Sequence, residues 1–164
     1  MTADRIERVD PSSDDARDIL RLYYGELVGR YHGRDAEPVE VEQAMADEPS
    51  DDLVGETGLF VIARDAHGVA MGCGGLRFVD ARVAELTRVF VAPAGRGSGT
   101  GSLVVSELEH LARLSGRQTI RLDTRRDLVE ARRLYARLGY QEVPAFNDDP
   151  YAEHWFSKSI VATG

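Results

Sequence analysis

Apolar residues recur at helical spacing early in the chain, gather into strand-length runs in the middle, and then alternate between the two habits. Ser12-Ser13-Asp14-Asp15 offers a hydroxyl cap and first-turn acids, and Ile19, Leu20, Tyr23, Leu27, Val28 and Tyr31 follow at helical spacing. Gly33 is placed to end that helix. Pro38 opens a second, shorter helix through Met45, since proline is tolerated in a first turn. Residues 47–58 are polar, hold Pro49 and two glycines, and read as a loop. Leu59–Ala63 is a short apolar strand, Asp65-Ala66-His67-Gly68 a turn, and Val69–Phe78 the returning strand of a hairpin. Gly72, Gly74 and Gly75 weaken that strand and mark a bulge or a close approach by another backbone or a ligand. A third strand runs from Val83 to Val91. After a break at Pro93–Gly99, Leu103, Val104, Leu108, Leu111, Ala112 and Leu114 restore helical spacing up to a capping Gly116. The rest reads as a strand Thr119–Asp123, a helix marked by Ala131, Leu134, Tyr135 and Leu138 and ended by Gly139, a strand Tyr140–Val143, a loop Pro144–Pro150 and a last strand Trp155–Val161.

Strand, helix and strand between residues 83 and 123 predict one parallel βαβ unit, because a hairpin cannot join parallel strands. No repeat or linker interrupts the pattern, so one mixed α/β domain over residues 1–164 is expected. No apolar run reaches the roughly 18 residues of a membrane span, and the polar start Met1-Thr2-Ala3-Asp4-Arg5 has no signal-peptide core. A cytoplasmic protein without a membrane partner is expected. The single Cys73 excludes an internal disulfide, and with four scattered histidines it gives no metal-ligand spacing, so no metal is expected. The net charge of −8 argues against nucleic acid as a partner. That charge is uneven: residues 1–80 hold 18 acidic and 8 basic residues, residues 81–164 hold 10 and 12. A polyanionic ligand belongs on the second half and a cationic one on the first.

The sharpest chemical signal is Val89-Phe90-Val91-Ala92-Pro93-Ala94-Gly95-Arg96-Gly97-Ser98-Gly99-Thr100-Gly101. A strand ends, glycines follow and a helix begins, an arrangement that offers free N–H groups and a positive dipole end to an anion. Arg96 adds a planar cation suited to phosphate. The residues leave several readings open. A P-loop wants a lysine after its glycines, and the chain's one lysine is Lys158. A dinucleotide site wants Gly-x-Gly-x-x-Gly; the spacing here differs, although Asp123 ends the next strand where its acid would stand. A ligand-free glycine turn would lose conformational entropy on folding with no compensating contact. Coenzyme A is a third candidate ligand for such a device.

Here the chain resembles a family. Arg96-x-x-Gly99-x-Gly101 is similar to the Arg/Gln-x-x-Gly-x-Gly/Ala signature of the GNAT superfamily of N-acetyltransferases. Glu85–Val91 resembles the strand before it, Pro93 stands where the family often has proline, and Ala131-Arg132-Arg133-Leu134-Tyr135-Ala136-Arg137-Leu138-Gly139-Tyr140 resembles the downstream "A-x-x-L-Y-x-x-x-G-F/Y" segment. His154–Lys158 resembles the last strand, so the likeness covers most of residues 59–160. It implies a mixed, mainly antiparallel sheet with a central parallel βαβ unit and helices on both faces. It implies direct acetyl transfer from acetyl-CoA to a primary amine of a small molecule, peptide or protein; a homodimer is compatible with it. Arg96 and the N–H groups of Gly97, Ser98, Gly99, Thr100, Gly101 and Ser102 would hold the pyrophosphate. The strand Val89-Phe90-Val91 would bind the pantetheine arm through its backbone, and Tyr135 would be the general acid for the leaving thiolate. One position departs: seven residues before the tyrosine the family commonly has Asn, and here stands Leu128. A non-catalytic CoA-binding module and a nucleotide-dependent oxidoreductase are the competing classes.

Several side chains have other readings beside the functional one. Tyr135 also sits at core spacing with Leu134 and Leu138. Glu85 is the candidate base: strand alternation puts it with Thr87, Val89 and Val91 on one side, and Leu86, Arg88 and Phe90 on the other. In an apolar strand its carboxyl pKa would rise; the alternatives are an ion pair with Arg82 or Arg88, or a water chain as the base. Cys73 has no identifiable histidine partner and reads as a small buried strand residue. His67 reads as a solvated turn residue and His154 as structural.

Overall fold

The computed structural model describes residues 3–161; residues 1, 2 and 162–164 of the expected domain lie outside the described residues. Helix α1 (Asp14–His32) begins where the Ser13 hydroxyl accepts the N–H of Ala16 at 3.3 Å, and it ends at Gly33 in the left-handed region with φ 68°. Helix α2 (Pro38–Asp47) starts on Pro38 and a capping box between Glu37 and Glu40, and runs past the expected end at Met45. Seven strands form one sheet: β1 (Arg5–Arg8), β2 (Gly58–Arg64), β3 (Ala70–Phe78), β4 (Val83–Val91), β5 (Thr119–Thr124), β6 (Gln141–Val143) and β7 (His154–Ser159). Their order is β1-β2-β3-β4-β5-β7-β6. Helices α3 (Thr100–Leu114) and α4 (Val129–Arg137) complete the fold. The strand β1 is absent from the sequence pattern: Arg5-Ile6-Glu7-Arg8 carries one apolar residue, too few to show a period, and only its pairing with β2 reveals it. No helix among the described residues is long and apolar enough to cross a membrane.

Every pair is antiparallel except β4–β5, for which α3 is the crossover. That single βαβ unit is the expected one. Among the described residues it leaves no second unit for a doubly wound dinucleotide fold. One face of the sheet packs on α3 and α4, burying Val104, Val105, Leu108 and Ala112 against Leu76, Leu86, Ile120 and Leu122. The other packs on α1 and α2, burying Ile19, Leu20 and Tyr24 against Phe60, Ile62 and Phe90. The strand β2 is buried at every position because both its faces are covered.

Gly72 and Gly74 of β3 admit a helix rather than a ligand, while Gly75 makes room for Leu53. A Cβ at Gly72 would stand 2.9 Å from the Phe90 carbonyl and 2.9 Å from Thr100 Cγ2; at Gly74 it would stand 2.8 Å from Val104 and Leu108. Between them Cys73 is fully buried, its S–H 3.2 Å from the Arg88 carbonyl, and burial pushes its thiol pKa up.

Two irregularities of β4 shape the middle of the sheet. Arg88 has φ 58°, and the register with β3 slips between Cys73 and Gly75, so β4 carries a bulge. The extra residue changes the alternation. Leu86 and Val89 pack toward α3 and α4, while Phe90 packs toward α1 and α2. The expected grouping of Glu85 and Thr87 with Val89 and Val91 is thereby corrected: the bulge moves the two valines to the side of Leu86. Second, β4 and β5 pair only at Val83–Thr119, Ala84–Ile120 and Glu85–Arg121. Beyond Glu85 the strands part, and a gap opens between them.

Gly72→Ala is expected to lower stability by about 1–3 kcal/mol, the usual cost of overpacking, because a carbonyl and a helix side chain already occupy the space. A denaturant midpoint unchanged from wild type would show that α3 can retreat from β3.

Candidate functional site

The gap between β4 and β5 leads into a cleft of about 560 Å³, lined among others by Val89, Val91, Gly99, Gly101, Leu134 and Arg137. Its floor is the glycine segment. Pro93–Gly95 form one 3-10 turn, and Gly97 and Gly99 follow at φ 79° and 81°, where a side chain would be strained. Gly99 caps α3 with its carbonyl, which accepts the Leu103 N–H at 3.0 Å. The first-turn N–H groups of Thr100, Gly101 and Ser102 have no preceding turn to bond to, and the helix dipole points its positive end the same way. Gly101 serves a different need: a Cβ there would stand 3.1 Å from Leu134 and 3.4 Å from Val91, so its absence lets α4 lean on the helix start.

The cations around this floor are partly engaged. Arg96 Nη2 meets both Glu26 carboxylate oxygens at 2.8 and 2.9 Å, and its Nε donates to the Val91 carbonyl at 3.1 Å. Arg30 pairs with Glu26 at 3.1 Å and with Glu130 at 3.2 Å, joining α1 to α4 across the cleft. Arg137 donates to the Ser102 hydroxyl at 3.3 Å, beside the start of α3. In sequence it is hidden among the arginines of a solvated helix face. Its place one turn after Leu134, on the face that lines the cleft, is the available signal.

A second cleft, of about 680 Å³, opens on the other side of the gap and shares Tyr23, Leu27, Val89, Leu128, Ala131 and Tyr135 with the first. Tyr135 fits both of its readings. Its ring packs edge-on against Tyr140, with centroids 5.7 Å apart, yet it borders both clefts. Burial pushes its phenol pKa up, so the hydroxyl keeps its proton through neutral pH. Tyr23 stands at the same junction, edge-on to Tyr24 at 4.9 Å and Phe90 at 6.0 Å, with its pKa pushed by burial to about 12. Its helical spacing is indistinguishable from that of a core residue. Leu128 contributes an apolar contact to both clefts where the family's amide would stand.

The second cleft is acidic, with Asp47, Glu48, Glu85, Asp123 and Asp149 on its wall. Its arginines are occupied: Arg77 holds Asp52 at 2.6 Å, Arg125 holds Asp127 at 2.8 Å, and Arg88 donates to the carbonyls of Glu48 and Pro49. Glu85 is paired with Arg121 at 3.0 Å and faces Arg77 at 3.7 Å. These are its cross-strand neighbours on β5 and β3, and they replace the Arg82 and Arg88 expected from local sequence. Asp123 stands out in the sequence only as a ribose-type acid. It lies past the last β4–β5 pair and accepts the Asn147 amide at 2.8 Å, while Asn147 Oδ1 accepts Trp155 Nε1–H at 3.0 Å. Burial pushes its carboxyl pKa up, helped by Glu85 and Asp149 and opposed by the Asn147 bond and Arg121. That environment exists only once the loop of residues 144–150 folds over β5. Chemically, the arrangement joins an anion-binding helix start, a buried phenol and an acidic cleft within one strand gap.

The sequence model of the acetyltransferase (GNAT) family matches residues 14–140. An uncharacterized N-acetyltransferase of Schizosaccharomyces pombe is 33% identical over 94 residues, which cover 57% of this chain and 58% of that protein. The match thus spans less than two thirds of that relative's length. In fold, the chain is similar to a GNAT-family acetyltransferase from Staphylococcus aureus Mu50, with TM-score 0.75, 14% identity, and 96% and 100% of the two chains covered. It is also similar to an aminoglycoside 6'-N-acetyltransferase complexed with coenzyme A, with TM-score 0.70, 18% identity, and 98% and 99% covered. At these identities the two structures speak for the fold alone.

The raised pKa of Asp123 fixes the direction of its pH dependence. Its folded value lies above its unfolded one, so its contribution to stability is best below the unfolded pKa of about 3.9 and worsens as pH rises through the folded value. Asp123→Asn is therefore expected to unfold at a denaturant midpoint equal to or above that of wild type at neutral pH. The difference should vanish in acid below both values. A variant clearly less stable at neutral pH would contradict this direction.

Proposed function

The chain belongs to the acetyltransferase (GNAT) family, and from that premise we propose that it transfers an acetyl group from acetyl-CoA directly to a primary amine of a small molecule or peptide. The observation that carries this reading is the meeting of two clefts at Tyr135, one floored by a helix start rich in free N–H groups and the other acidic. Gly97 to Ser102 and Arg137 receive the pyrophosphate, and Arg96 exchanges the Glu26 carboxylate for phosphate as it binds. The edge of β4 left open beyond Glu85 takes the pantetheine amides at Val89 and Val91, with one N–H there polarising the acetyl carbonyl. Tyr135, kept protonated by burial, gives its proton to the departing sulfur. The acidic second cleft, its arginines already engaged, favours a neutral or cationic amine over an anionic one. Tyr31 and Tyr151, edge-on with centroids 5.8 Å apart, flank its rim.

Acetyl-CoA at about 100 times its Kd is expected to stabilise the protein by about 2.7 kcal/mol, seen as a raised melting temperature. Gly99→Glu should abolish that shift while leaving the circular dichroism spectrum intact. The left-handed strain at φ 81° costs only about 1–2 kcal/mol, whereas the added carboxylate meets the phosphates directly. A folded Gly99→Glu protein that still binds acetyl-CoA would move the phosphate site elsewhere.

Tyr135→Phe is expected to lower kcat by about 10- to 1000-fold, the range of a lost general acid, with acetyl-CoA affinity nearly unchanged. Wild-type turnover in the variant would leave Tyr135 with its packing role alone.

A further inference from the structure

We infer that Asp123, held in the strand gap by Asn147 and Trp155, is the group that takes the proton from the acceptor's ammonium. This rests on the acetyltransferase reading above and deepens it. Glu85 and Asp123 lie two residues apart in β5 register, Glu85 opposite Arg121 and Asp123 one alternation further. That step decides between them. Glu85 sits in the last paired rung, and its two oxygens face Arg121 at 3.0 Å and Arg77 at 3.7 Å. Both of its oxygens are thus already engaged by guanidinium groups. Asp123 lies beyond that rung, where β4 has parted from β5 and the second cleft reaches into the sheet. No arginine or lysine forms an ion pair with it among the described residues; its partner is the neutral Asn147 amide.

Asn147 and Trp155 are positioning residues. Trp155 stands opposite Asp123 on β7, and its indole N–H fixes the Asn147 oxygen, so the Asn147 NH2 is turned toward the carboxylate. The groups that face Asp123 are Glu85 from β4, Arg121 from its own strand, Asp149 from the β6–β7 loop and Tyr135 from α4. Burial pushes the Asp123 carboxyl pKa up, aided by the charges of Glu85 and Asp149 and opposed by the Asn147 hydrogen bond and Arg121. Tyr135 senses the charge on Asp123 in turn, which places acid and base across the same cleft.

Atoms and charge balance through the transfer. One proton passes from the ammonium to Asp123, and the freed nitrogen lone pair forms the C–N bond to the acetyl carbonyl carbon. The C–S bond breaks with its electron pair going to sulfur. Sulfur takes the Tyr135 proton, and the phenol is refilled by the second proton leaving nitrogen. The proton on Asp123 passes to solvent through the open cleft.

The test is the pH profile of CoA release by the full chain with acetyl-CoA and a panel of primary amines that includes a linear diamine. Wild type is compared with Asp123→Asn, Asn147→Leu and Glu85→Gln. Asp123→Asn should bind acetyl-CoA normally, lose about 10²- to 10⁴-fold in kcat, and lose the acid limb of the kcat/KM profile. Asn147→Leu removes a hydrogen bond that lowers the Asp123 pKa, so its acid limb should move to higher pH. Glu85→Gln removes a charge that raises the Asp123 pKa, so its acid limb should persist but move to lower pH. A wild type that releases no CoA with any amine overturns the acetyltransferase reading itself. A turning-over wild type whose acid limb survives Asp123→Asn, or stays fixed in Asn147→Leu, overturns only the assignment of Asp123.

Discussion

The site depends on a strand pairing that stops early. The strands β4 and β5 run parallel for three rungs and then separate, although each continues for several residues. Two features keep them apart. The bulge at Arg88 bends β4 and raises its twist, and Arg88 ties that bend to the carbonyls of Glu48 and Pro49 behind α2. On the other side, Leu122 to Thr124 of β5 remain paired with β7. An unpaired backbone edge in the middle of a sheet is costly unless something bonds to it. Here it forms the wall shared by two clefts, and a ligand with its own amides is the natural partner for it.

Packing supplies the rest of the geometry. Gly72 and Gly74 let α3 lie directly on β3, which brings the start of α3 to the end of β4. Gly101 lets α4 close in from the other side through Leu134. So the three glycines act on packing, while Gly97 and Gly99 act on backbone conformation. The signature-like spacing of glycines conceals these different requirements, and a substitution at each position would fail for a different reason.

Charge is arranged by the same tertiary contacts. Glu26 draws Arg96 and Arg30 onto α1, holding both cations at the first cleft. In the second cleft the arginines are engaged by Asp52, Asp127 and backbone carbonyls, which leaves Asp123 with no ion-pair partner among the described residues. A half-buried carboxylate without a cation against it is unfavourable for folding.

The sequence by itself determined the elements with a clear period, the βαβ crossover, the position of the glycine segment, and Tyr135 as a residue of interest. The elements and the glycine segment come from local rules: spacing for helices, run length for strands, and the need for glycine where φ is positive; Tyr135 stands out through the likeness of Ala131–Tyr140 to the family's segment. It could not show β1, because a strand of four residues with one apolar side chain is defined by its partner. Nor could it show the phase change at Arg88. One inserted residue moves Val89 and Val91 to the other side of the sheet, and alternation read from sequence assumes that no such residue exists. The partners of Glu85 and the surroundings of Asp123 were also settled by tertiary structure. Arg77 lies on a different strand from Glu85, and Asn147 reaches Asp123 from a loop 24 residues away. Charges and hydrogen bonds act through space over a few ångströms, and only the folded chain decides which residues come within that reach.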